Sequence, residues 1–84
     1  MNARAKAFFR RTRARLRSTI QESRQLLVDL DGYDELHPEQ PPVMDRGQVL
    51  IHLAWAKKAL ASLEGGKVRG CLERDEPIPP LSDW

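Results

Sequence analysis

Cysteine is almost missing from this chain. Cys71 is the only one in 84 residues, so no disulfide can form within it. Histidine is nearly as scarce, and His37 and His52 share no ligand spacing with each other or with Cys71. No metal and no cofactor is therefore expected. No apolar run approaches the roughly 18 residues that cross a bilayer. The start lacks the apolar stretch of a secretory signal. With a single thiol, these absences favour a reducing, cytoplasmic setting and make a membrane an improbable partner. Catalytic constellations are lacking as well. No Ser-His-Asp or Cys-His order occurs, and Gly65-Gly66-Lys67 follows a helical pattern where a phosphate loop needs a strand. Glu35 and His37 lie in a proline-rich stretch, a poor place to hold acid–base geometry. An enzyme is not expected.

At this length only about 60–65% of the unfolded chain's surface is buried on folding, so stability is marginal without a staple. Disulfides and metals being excluded, self-association or a partner protein is the staple left. Proline and glycine are absent between Asn2 and Leu30, and so is acid from the first seventeen residues. In ARAKAFFRRTRARLR, residues 3–17, seven side chains are Arg or Lys. Net charge is only +2, because acids cluster elsewhere: Asp31, Asp34, Glu35, Glu39 and Asp45, then Glu73, Asp75, Glu76 and Asp83. Such a chain can satisfy its charges internally or pair head to tail with a copy. Arg outnumbers Lys ten to four, a bias that a GC-rich bacterial or phage genome produces. An Arg-rich, acid-free, amphipathic start is also the composition of an organelle transit peptide.

Residues 2–30 carry an amphipathic helix. Ala5, Phe9, Thr12, Leu16, Ile20, Ser23, Leu27 and Leu30 share a stripe about 90° wide, and Asp31-Gly32 is the expected stop. Pro38, Pro41 and Pro42 keep the connector, 31–44, extended. Asp45 and Gln48 have the spacing of a capping box that opens a second helix, 45–64, ending at Gly65-Gly66. Residues 65–84 form a tail with one turn of helix around Cys71 to Asp75, and Pro77, Pro79 and Pro80 extend its end. The fold expected is all-α: a two-helix antiparallel hairpin with a proline-rich connector and an extended C-terminal tail, open to completion by oligomerisation.

Val49, Leu53, Ala56, Leu60 and Leu63 face the first helix. Ile51 and Trp55 lie well off that stripe on one side and Leu50 on the other, so a second surface needs a cover. The tail can supply it with Val68, Leu72, Ile78, Leu81 and Trp84, or another chain can. Leu50, Ile51, Trp55, Leu81 and Trp84 are accordingly the candidate protein-binding residues of a small interaction protein, an adaptor, regulator or inhibitor. The alternative site is polyanionic. Arg4, Arg10, Arg11, Arg13, Arg15 and Arg17 flank the apolar stripe on both sides, as the wetted rim of a buried helix does. The same arginines can bind nucleic-acid phosphates without sequence preference, or an anionic membrane or acidic protein with Phe8 and Phe9 as anchors.

Overall fold

The computed structural model describes all 84 residues. α1 spans Ala3–Leu36, α2 Arg46–Gly65 and α3 Lys67–Glu73, and Leu81–Asp83 form a single 3-10 turn. Asn2 caps α1, its side-chain oxygen accepting from the Ala5 N–H at 2.8 Å. All eight residues of the predicted α1 stripe are buried or half-buried. On α2, Val49, Leu53, Ala56 and Leu63 are buried and Leu60 half-buried. The hairpin is antiparallel. Arg46 at the start of α2 pairs with Asp31 and Asp34 near the end of α1, both at 2.7 Å, and Glu64 near the end of α2 meets Arg17 at 3.2 Å.

α1 does not stop at Gly32. It runs four residues further, to Leu36, and the connector shrinks to 37–45. Gly32 does not adopt positive φ, so it gives no left-handed cap. Its helical conformation costs about 1 kcal/mol relative to Ala. Arg46, pulling on carboxylates either side of it, offsets that cost, as does the Tyr33 ring against His37 (4.4 Å between centroids). Tyr33 also donates its hydroxyl to the Gln40 side chain at 2.8 Å. The stop is proline: His37 precedes Pro38, which excludes α geometry from the residue before it, and His37 sits at φ −132°, ψ 60°.

Asp45 caps α2 as expected, though its carboxylate accepts from the Gly47 N–H (2.8 Å). The Gln48 N–H goes instead to the Asp45 carbonyl at 3.2 Å. Only Gly66 separates α2 from α3. A Cβ on Gly66 would stand 2.8 Å from the Ser62 Cα, so the bend requires glycine there. The Ser62 hydroxyl accepts from the Val68 N–H across it (3.3 Å). α3 thus starts four residues earlier than the expected turn at Cys71. It ends in a Schellman arrangement: Asp75 at φ 54°, with the Glu76 N–H donating to the Cys71 carbonyl (2.9 Å) and the Asp75 N–H to Leu72 (3.4 Å).

Leu16, Ile20, Leu53, Ala56, Ala59, Leu63, Val68 and Leu72 form one core along the seam. The molecule is a rod, 55 × 20 × 15 Å, with a radius of gyration of 16.7 Å, against about 12 Å for a compact chain of this length. Thirteen residues are buried, a thin core for the surface it must hold. Two glycine replacements test the course of the helices. Gly32→Ala should stabilise by about 0.5–1 kcal/mol, because the site is helical and open; a Gly32 cap would make it destabilising. Gly66→Ala should cost about 1–3 kcal/mol. Urea unfolding followed by circular dichroism reads both.

Candidate functional site

Between Gly47 and Ala56, α2 reads GQVLIHLAWA, ten residues without a charge. A helix that is apolar all round is ordinarily covered all round. Here one side is not. Leu50 is 52% exposed, Ile51 63% and Trp55 42%, with Ala54 exposed between them. The tail does fold back, as a strap. From Asp75 it passes the start of α1, where Pro77 and Ile78 line a shallow cleft with Arg4, Phe8 and Arg11. It then reaches α2, where Leu81, Ser82 and Trp84 border a small cleft with Trp55, Lys58 and Ala59.

Trp84 belongs to the strap's anchor and not to the open face. Its ring meets Phe8 edge-on at 6.3 Å, its indole N–H donates to the Pro79 carbonyl at 3.0 Å, and it packs on the core. Leu81 stays 55% exposed beside Trp55. Of the five candidate protein-binding residues, Leu50, Ile51, Trp55 and Leu81 are therefore exposed, Leu81 beside Trp55, and Trp84 anchors the tail.

Other exposed apolar residues escaped the sequence reading. Val28, 63% exposed, lies in an open groove between α1 and α2 with Arg24, Lys57, Leu60 and Ala61. Lys57 and Ala61 line the groove's α2 side, and Leu50 falls on the same helical row beyond it. Val28 falls on the α1 face that carries Arg10, Arg17 and Arg24, so an apolar residue in a cationic row was its only signal. On the connector before α2, Val43 and Met44 are exposed as well.

The arginines divide between two sides, as their angular spacing implies. Arg13 and Arg69 both lie over the Phe9 ring, at 5.3 and 5.1 Å, joining α3 to α1 through cation–π contact. Arg17 is taken by Glu64. Arg4, Arg10, Arg11 and Arg15 are exposed and make no ion pair. The acids near the chain's end make no ion pair with them, although Asp75 and Glu76 share a cleft with Arg4 and Arg11. Glu73 pairs with Arg69 (2.7 Å) and Glu76 with Arg74 (2.9 Å), bonds that hold both carboxyls below their ordinary range and raise Arg74.

Neither histidine joins a site. His37 stacks on Tyr33, and His52 is exposed. No group of three His, Cys, Asp or Glu side chains is arranged to hold a metal, and Cys71 is buried. Trp84→Ala should lower stability by about 1–3 kcal/mol, since half-buried contact and an indole hydrogen bond are lost. Removing the exposed Ile51 side chain should cost less than about 0.5 kcal/mol. Thermal unfolding of the two variants gives the comparison. No known protein family, curated protein or solved structure matches the chain, so any functional reading rests on these side chains alone.

Proposed function

We propose that the chain is a non-catalytic helical interaction protein that docks through the outer face of α2 and so modulates or occludes what it binds. One observation carries this reading. After the tail has folded back, Leu50, Ile51 and Trp55 still expose apolar surface along an uncharged stretch of helix, with Leu81 of the tail exposed beside Trp55. Exposed apolar residues scattered singly are ordinary, but a row of them on one rigid element is the mark of a docking face. Trp and Ile give large contact area at small rotamer cost. The unpaired cations at the start of α1 steer an acidic surface toward the rod and fix its direction, a contribution to on-rate more than to affinity.

A second reading draws on those same cations. Arg4, Arg10, Arg11 and Arg15, exposed and unpaired, fit sequence-independent contact with nucleic-acid phosphates. They straddle α1 on two sides of the core stripe, whereas a helix lying in a groove concentrates its cations on the side it presents. The docking reading is therefore preferred.

Ile51→Glu and Trp55→Glu should keep wild-type helicity. Compared with the wild-type chain in affinity capture, they should lose whatever it retains specifically. Identical captures from variant and wild type would remove the face from consideration. Fluorescence anisotropy with an arbitrary DNA duplex addresses the second reading. Binding at about 50 mM salt that collapses by 200 mM would favour it, and no binding at the lower salt eliminates it.

A further inference from the structure

We propose that the open groove between α1 and α2 docks an acidic amphipathic helix of a partner protein, with a carboxylate of that helix seated between Arg24 and Lys57. The groove is separate from the Ile51 and Trp55 side of α2, so it stands or falls independently of that face.

The register of the hairpin brings the two cations to one level. Arg17 on α1 and Glu64 on α2 bridge the groove at 3.2 Å. The helices are antiparallel, so one heptad onward along α1 and one heptad back along α2 arrive at the same height. The residues there are Arg24 and Lys57, and both line the groove. Where the first level sets opposite charges across the seam, the second sets two cations, and neither makes an ion pair. Their own helices offer no relief. Every residue three or four places from either cation is uncharged. Glu22 and Asp29, the acids nearest Arg24 in sequence, fall about 140–160° round α1 from it. A carboxylate brought between Arg24 and Lys57 is attracted by both and relieves their repulsion.

The rest of the groove selects a helix as the carrier of that carboxylate. A two-helix seam has a groove on each side, and the tail crosses one of them, from Phe8 on α1 to Ala59 on α2. Arg24 and Lys57 line the other. From Arg17 to Val28 it runs about 16 Å, or about three turns of helix. It lies open along that length, whereas a small ligand is held where most of its surface is enclosed. A helix laid in it meets α1 and α2 together, in the groove-binding mode of amphipathic helices. Its apolar stripe covers Val28 and the half-buried Leu60, and Ala61 lets the backbones come close. Acids along the edges of that stripe then reach Arg24 on one wall and Lys57 on the other.

Two synthetic helical peptides long enough to span the groove test this on the full chain by fluorescence anisotropy. Each carries a leucine stripe, edged with glutamates in one and with lysines in its twin. The glutamate peptide should bind, and Arg24→Glu and Lys57→Glu should each weaken it by about tenfold or more. The two replacements together should reverse the preference and take the lysine peptide instead. All variants should keep wild-type helicity, and Ile51→Glu should leave binding unchanged. No binding of the glutamate peptide, equal binding of the twins, or binding that both charge reversals leave intact overturns the proposal. Binding lost with Ile51→Glu but kept with Arg24→Glu and Lys57→Glu would move the peptide to the outer face of α2, overturning the groove while leaving the docking reading in place.

Discussion

A helix as long as α1 buries one stripe, and no single shorter helix can cover it from end to end. α2 has 20 residues against 34, so the basic third of α1 would lie bare if the chain continued straight. The close approach at Gly66 resolves this. With no Cβ to strike Ser62, the chain bends within one residue and restarts as α3. Val68 and Leu72 then become buried beside Phe8 and Phe9. The Val68 N–H, freed by the bend, finds the Ser62 hydroxyl, so no buried polar side chain is left without a partner. The strap depends on the same bend. Only because α3 ends near the start of α1, in the left-handed turn at Asp75, can the tail run back and seat Trp84 on Phe8.

That arrangement also explains why one face of α2 stays open. The tail approaches from the side of Trp55 and Ala59 and stops there. Its prolines keep it extended, and an extended strap covers one flank of a helix, not its back. Leu50 and Ile51 lie beyond its reach. Meanwhile Glu73 and Glu76 pair locally with Arg69 and Arg74, and Asp75 turns to the start of α1, where it accepts from the Asn2 N–H and shares a cleft with Arg4 and Arg11. Packing and electrostatics therefore leave two distinct unsatisfied regions, an apolar face on α2 and a cationic end on α1. They sit on different parts of a rod 55 Å long.

Much of the fold was legible because helix periodicity is a local signal. The stripes of α1 and α2, the cap at Asp45 and the outward placement of Leu50 and Ile51 all follow from spacing alone. The misreadings share a cause. Gly32 looked like a stop because glycine is the favoured residue past a helix end, but a remote residue, Arg46, makes the extra turn worthwhile. α3 was read too short because KVRGCLE holds a glycine and little periodicity. What makes it a helix is Val68 and Leu72 meeting a part of α1 some sixty residues away. For Trp84 the strap and the interface both fit the sequence, since a terminal aromatic after a proline run gives no hint of Phe8 as its neighbour. Contacts distant in sequence decided each of these cases, and periodicity cannot report them.

The separation of the two open regions bears on how they can act together. Were the cations interleaved with Leu50 and Ile51, burying the face would strand charge in a dry interface, at a cost of several kcal/mol per ion. The sequence avoids this by holding charge out of residues 47–56 and placing Lys57 and Lys58 just past that stretch, where a rim can hydrate them. Apolar contact can then provide affinity while the charged ends set direction and approach. The thin core gives such contact extra weight. A rod with thirteen buried residues has little stability in reserve, so a partner that binds only the folded form raises its apparent stability by mass action. One side of α2 thus holds the hairpin together, while Leu50 and Ile51 on the other stay exposed.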